Sequence, residues 1–303
     1  MGARRFAALV LGGVAAAADL TIPLGLDRFI ATPEDNPVRA DTAAIGRRLF
    51  FDKDLSRDRT VSCATCHDPD RAFTDNKPLA VGLANRKGTR RTPTILNRAY
   101  GKSFFWDGRV ASLEEQVLKP VEAEVEMDVP LDRALERVRA SGRYPAMDLA
   151  GMARCLATYV RTILAGDAPY DRYARGGRSA MTAEQIAGLK IFRGKAGCAS
   201  CHVGPNFTDE RFHNTGLRSK DPGRAEKGEF KTPTLREVVR RAPYMHDGSL
   251  ATIEDVIEHY DKGGEANPNL DPEIRKLDLT KEEKRLLAEF LKALSGTVTE
   301  GIR

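Results

Sequence analysis

Cys63-Ala64-Thr65-Cys66-His67 and Cys198-Ala199-Ser200-Cys201-His202 are two copies of one pattern, Cys-x-x-Cys-His, and they hold four of the chain's five cysteines. Two thiols one helical turn apart reach the two vinyl groups of one porphyrin, and the adjacent histidine then lies under the iron as proximal ligand. Each copy therefore reads as a c-type haem attachment site. Two other readings compete. A thioredoxin-like redox pair does not require the following histidine, and a structural zinc site would merge both copies into one centre with four cysteine ligands. Two complete copies favour two haems, one on Cys63, Cys66 and His67 and the other on Cys198, Cys201 and His202. The fifth cysteine, Cys155, lies in the apolar run Cys155-Leu156-Ala157-Thr158-Tyr159-Val160 and is expected in a core.

Outward from the motifs the chain repeats itself. Thr42 opens a stretch with Ile45, Leu49 and Phe50 before the first motif, and Thr182 opens one with Ile186, Leu189 and Phe192 before the second. Both have the period of an amphipathic helix leading into a haem loop. After the motifs, Arg71-Ala72-Phe73-Thr74-Asp75 answers Pro205-Asn206-Phe207-Thr208-Asp209, and Thr92-Pro93-Thr94 answers Thr232-Pro233-Thr234. Trp106-Asp107-Gly108 and His246-Asp247-Gly248 then stand 140 residues apart, as do Ser112-Leu113-Glu114-Glu115 and Thr252-Ile253-Glu254-Asp255. Duplication of one unit accounts for this register. The expected fold is all-α, two cytochrome-c-like haem domains joined near Gly176-Gly177, spanning residues 19–175 and 176–303. Strand signals are scarce. Thr280-Lys281-Glu282-Glu283 is a capping box, and Leu286, Leu287, Phe290, Leu291 and Leu294 after it share one helical face.

The N-terminus carries Arg4-Arg5, an apolar run from Phe6 to Ala18, and Ala16-Ala17-Ala18 before Asp19, the plan of a secretory signal over residues 1–18. The run is too short for the roughly 20 residues of a spanning helix, so the expectation is an exported, periplasmic protein without a membrane anchor. With 41% hydrophobic and 30% charged residues the composition is that of a folded domain, and the net charge of +5 is spread over mixed signs, which argues against nucleic acid.

A proximal histidine fills one axial position of each iron, so chemistry depends on the other. Fourteen residues after His246 is Tyr260, but fourteen after Trp106 is Pro120, which cannot ligate iron. No histidine lies between His67 and His202, so the first haem is expected to be five-coordinate and open to peroxide. Gln116 and Glu126 fall near that opening. A carboxylate there can move a proton between the oxygens of peroxide, although Glu114, Glu115, Glu122 and Glu124 make a solvated acidic face an alternative. For the second haem, His259, His213 and Met245 compete with Tyr260 as ligand. Trp106, the only tryptophan, is a core residue or an electron relay.

Together these residues resemble the bacterial di-haem cytochrome c peroxidase and MauG family over nearly the whole mature chain, most specifically from Phe105-Trp106-Asp107-Gly108-Arg109 through Gln116, Pro120 and Glu126. The resemblance implies that Trp106 lies between the haems and that Gln116, Pro120 and Glu126 line the pocket of the peroxide-binding haem in the N-terminal domain. The C-terminal domain would carry the electron-transfer haem. The loop Val81-Gly82-Leu83-Ala84 has Leu83 where typical peroxidases have a distal histidine, and Tyr260 stands where they have methionine. Both departures resemble the MauG and MbnH branch, which uses hydrogen peroxide to reach a bis-Fe(IV) state and oxidises Trp or Tyr residues of a partner protein over a distance. The family's calcium site takes an asparagine side chain at position 91 and backbone oxygens at 241 and 243. Arg91 cannot serve as that ligand, and its guanidinium could take the ion's place.

The leading expectation is thus a peroxide-dependent oxidase of an exported protein partner, with iron ligands His67, His202 and Tyr260. A peroxide-scavenging peroxidase fed by a small cytochrome or cupredoxin is the nearest alternative, and a non-catalytic di-haem electron carrier, with two six-coordinate haems, is a third.

Overall fold

Thr182 and Thr280 each stand before an apolar periodic run, and their hydroxyls accept hydrogen bonds from the backbone N–H groups of Gln185 and Glu283. The Gln185 and Glu283 side chains return to the threonine N–H groups, so two donors that a helix start leaves open are satisfied reciprocally. The helices that follow are the eighth and tenth in a computed structural model of the chain, which describes residues 20–302; the expected signal segment, 1–18, lies outside the described residues.

The helices run α1 (Ala40–Phe50), α2 (Cys63–Cys66), α3 (Leu113–Gln116), α4 (Lys119–Glu122), α5 (Leu131–Ala140) and α6 (Leu149–Arg161), then α7 (Pro169–Ala174), α8 (Ala183–Arg193), α9 (Ile253–Lys262) and α10 (Lys281–Lys292). Among the described residues four short strands accompany them: β1 (Leu164–Gly166), β2 (Phe212–His213), β3 (Phe230–Lys231) and β4 (Thr297–Thr299). They form two antiparallel pairs, β1 with β4 and β2 with β3. The fold is therefore mostly helical, in keeping with the expected helical class, and the strand pairs of two or three residues arise from tertiary juxtaposition and leave no alternation to read. Among the described residues no helix is long and apolar enough to cross a membrane.

Two helix crossings build two cores. α1 packs on α6, and α8 packs on α10. At the first crossing a Cβ on Gly46 would fall inside the backbone of Cys155, and at the second a Cβ on Gly188 would fall inside that of Leu286. Only glycine lets these backbones approach so closely. Leu49, Phe50, Met152, Leu156 and Tyr159 fill the first core, with Cys155 buried among them as expected. Leu189, Phe192, Leu287, Phe290 and Leu291 fill the second.

The two cores exchange elements. Tyr170 of α7 packs edge-on to Phe207 and Phe290 of the second core, whereas β4 returns to the first, where Glu300 pairs with Arg47 at 2.8 Å and accepts from the Tyr159 hydroxyl. Arg236 grips Asp171 at 2.5 and 2.9 Å and Arg98 grips Glu210 at 2.7 and 3.0 Å, both bidentate. The backbone also crosses reciprocally. Arg91 N–H donates to His246 O and Lys231 N–H to Trp106 O, each at 2.8 Å.

Candidate functional site

The first motif begins on a capped turn: Ser62 precedes Cys63, and its backbone N–H donates to the Thr65 hydroxyl at 2.9 Å. After the motif the chain doubles back through Phe73, whose φ of 55° is one that L residues rarely adopt. This turn aims the Phe73 carbonyl at His67 Nδ1, 3.1 Å away. The second half repeats the device, with Phe207 at φ 51° and its carbonyl 3.0 Å from His202 Nδ1. An imidazole that donates from Nδ1 keeps Nε2 free for a metal, and burial lowers both histidine pKa values, holding the rings neutral.

Both histidines face one continuous cavity of about 840 Å³, lined also by Cys66, Cys198 and Cys201. Cys63 sits at the start of α2, packed against the first core. Burial pushes the Cys63 and Cys198 thiols up to about 12 and Cys66 up to about 11, so they stay protonated rather than acting as thiolates. The two motifs belong to separate cores, and no grouping of four cysteines occurs among the described residues, which removes the zinc reading. A large cavity walled by two neutral, oriented histidines with unionised cysteines beside them fits two haems.

The residues facing the two motifs differ. Gln116, Pro120 and Glu126 line the cavity, and Glu126 is close enough to Cys63 and Cys66 to raise their pKa values. Burial raises the Glu126 pKa, and the Arg109 guanidinium partly offsets this. The competing carboxylates point elsewhere: Glu114 is bound by Arg161 at 2.7 and 3.0 Å, Glu115 lies 3.8 Å from Lys119, and Glu122 and Glu124 are exposed. Leu83 is buried but does not line the cavity; its N–H donates to Glu126 O at 2.8 Å, so this loop braces the Glu126 backbone.

Tyr260 faces the other motif. Burial first, and then the nearby Cys198 and Cys201, push its phenol well above the usual range. Two of the competing ligands are engaged. His259 Nε2 lies 2.9 Å from Thr215 O. His213 is held between Asp271 at 2.5 Å and Asp209 at 2.9 Å; its ring donates to Cys201 and to these carboxylates, which push it up to about 10, and both of its nitrogens are occupied, so neither is free to ligate. Met245 lines the cavity at φ 69°. Position 120 is proline, so the ladder breaks between α3 and α4, whereas α9 runs unbroken through Tyr260.

Trp106 lines the cavity, and its Nε1 donates to Arg91 O at 2.9 Å. Sequence reasoning gave no role to the side chains of two further residues that line the cavity. Arg109 lies 3.7 Å over the Phe105 ring and lines the cavity near Glu126; its place directly after Trp106-Asp107-Gly108 was the available signal. Arg241 is the other, buried against the cavity; the sequence marked its position only for a backbone oxygen and not for its guanidinium.

The sequence profile described as di-haem cytochrome c peroxidase matches residues 40–179. The chain is 41% identical over 285 residues to the methylamine utilization protein MauG of Methylorubrum extorquens, covering 87% of this chain and 81% of that one. It is 32% identical over 251 residues to the cytochrome c551 peroxidase of Pseudomonas aeruginosa, covering 73% and 72%. A crystal structure of a MauG-like protein associated with microbial copper homeostasis superposes with a TM-score of 0.80 at 29% identity, covering 91% of this chain and 94% of the other.

Proposed function

The chain belongs to the di-haem cytochrome c peroxidase and MauG family, a haem-dependent oxidoreductase family of peroxide chemistry, and from this we propose that it uses hydrogen peroxide to oxidise Trp or Tyr residues of a partner protein. One observation carries the reading: at equivalent places Pro120, with Glu126, faces the first motif and Tyr260 faces the second. One side of the cavity offers no ligand and a proton-handling carboxylate, and the other offers a phenol.

Cys63, Cys66 and His67 hold one haem, and Cys198, Cys201 and His202 hold the other, covalently. When bound, the haems would supply the redox chemistry that reduces peroxide and oxidises the partner. Glu126 accepts a proton from one peroxide oxygen and returns it to the other, which is general acid–base catalysis. Gln116 orients peroxide by hydrogen bonding, and Pro120 offers no ligating atom on this side of the cavity. Tyr260 closes the second site, and Trp106 links the two sides. Duplication of one haem domain, with halves 19–175 and 176–303, is supported by the paired crossings at Gly46 and Gly188, the paired carbonyls of Phe73 and Phe207, and the reciprocal bonds of Arg91 and Lys231. The 1–18 segment supports export to the periplasm, which is where the partner would be met.

Paramagnetic resonance of the oxidised protein is expected to show one high-spin and one low-spin haem. Two low-spin signals would point instead to an electron carrier. Treatment with peroxide and exported candidate partners should yield oxidised Trp or Tyr by mass spectrometry. The relatives named as peroxidases support a second reading, peroxide reduction fed by a small cytochrome or cupredoxin. Fast turnover with a reduced donor and no modified partner would favour it.

A further inference from the structure

Arg91 and Arg241 are each only 6% exposed, and both line the cavity. Neither guanidinium comes within ion-pair distance of a carboxylate among the described residues, and the Nε of each has no hydrogen-bond partner. Asp75 is the carboxylate that acts most on Arg91, yet its Oδ2 is unpartnered and its Oδ1 accepts from Lys77 N–H at 3.2 Å. Tyr244 and Glu237 are the other ionisable groups that favour these charges. Burial pulls the Arg91 pKa down to about 10, and burial together with repulsion from Arg91 pulls Arg241 down to about 9.

Both side chains are fixed in place. Arg91 Nη2 donates to Arg241 O at 2.7 Å, and Arg241 Nη2 donates to Thr234 O at 2.5 Å. The Arg91 backbone is pinned by His246 O and by Trp106 Nε1. Two buried cations held side by side, with donors left over, are costly unless an anion completes them. A planar guanidinium fork matches a carboxylate. The calcium site implied by the family resemblance does not fit these residues: the 241 carbonyl that would ligate the ion accepts from Arg91 instead, and two positive charges already occupy the place.

We propose that Arg91 and Arg241 form a fixed dication that binds carboxylate groups of the bound haems, in place of a divalent metal ion. This rests on the reading that both haems occupy the cavity, which is tested first and separately by mass spectrometry for two covalent haem additions. On that holoprotein, resonance Raman reads the bending mode of the haem carboxylate side chains, which moves with their hydrogen bonding, and potentiometry reads the two midpoint potentials. Arg91→Met and Arg241→Met are each expected to shift the bending band and to lower at least one midpoint potential, because positive charge beside a haem favours the reduced iron. Arg91→Lys is expected to keep the potential but still shift the band, since it retains the charge and loses the fork. Wild-type protein dialysed against a chelator and titrated with calcium is expected to change in neither readout. Unmoved bands and potentials in both Met variants, or a calcium-dependent shift in the wild type, would overturn the proposal. If a Met variant fails to fold, Arg91→Lys decides, and an unchanged bending band there overturns it as well.

Discussion

The proposed reaction places its proton transfer on one carboxyl group, Glu126, and the environment of that group gives a sign to the pH dependence. Burial raises its pKa and Arg109 opposes the rise. The form that accepts a proton from peroxide is the carboxylate, so the peroxide rate should climb with pH through a midpoint above the usual carboxylate value of about 4.3. Arg109→Gln should move that midpoint higher, because the opposing charge is gone. Glu126→Gln should abolish the limb and slow the reaction by about 10²–10⁴-fold, the usual size of general acid–base assistance. Stopped-flow absorbance against pH checks all three, and a limb that survives in Glu126→Gln assigns the proton to another group. Tyr260→Phe makes a separate prediction. The low-spin spectrum of the second haem should change, and an unchanged spectrum would remove Tyr260 as a ligand. That Pro120 and Tyr260 line the cavity could be anticipated because the comparison rests on local spacing: fourteen residues beyond Trp106 and beyond His246, the chain offers proline on one side and phenol on the other. Leu83 was legible only in part. Its absence of a ligating atom is plain, but its role as a brace on the Glu126 backbone depends on two loops meeting.

At the scale of elements, the two helix crossings are the positions where the fold tolerates least. Alanine is favoured over glycine inside a helix by about 0.5–1 kcal/mol, which alone would make Gly46→Ala and Gly188→Ala stabilising. The added Cβ, however, would fall inside the backbone of Cys155 or of Leu286, which cannot rotate away as a side chain can. Overpacking costs about 1–3 kcal/mol, so each substitution should be net destabilising. Thermal unfolding of the holoprotein measures this, and a raised Tm in either variant would show that the helices separate at no cost. The capped starts of α8 and α10 could be read from Thr182 and Thr280 because a cap is a contact within four residues. β1 and β4 could not: Leu164 meets Thr299 from 135 residues away, and neither three-residue stretch carries a pattern of its own. The same limit applies to α7, which precedes the expected boundary at residue 176 yet sends Tyr170 into the second core.

For the whole molecule, function depends on whether the two sides of the cavity act as one unit, and Trp106 is where this can be tested. Its ring lines the cavity, its Nε1 donates to Arg91 O, and its carbonyl accepts from Lys231. Trp106→Phe keeps most of the bulk and the backbone bond. It removes one hydrogen bond and leaves the buried Arg91 carbonyl without that partner, at a cost of about 1–3 kcal/mol, which a folded protein of this size can bear. If Trp106 only packs, that cost is the whole effect and partner oxidation continues at its normal rate. If it carries electrons, the phenylalanine ring, which is much harder to oxidise, interrupts the transfer. The expected outcome is the second: unchanged spin states of both haems, an unchanged first reaction with peroxide, and loss of oxidised Trp or Tyr in the partner. Paramagnetic resonance, stopped-flow absorbance and mass spectrometry of the partner read the three quantities independently. Normal partner oxidation in Trp106→Phe would return Trp106 to a packing role and require another route between the sides.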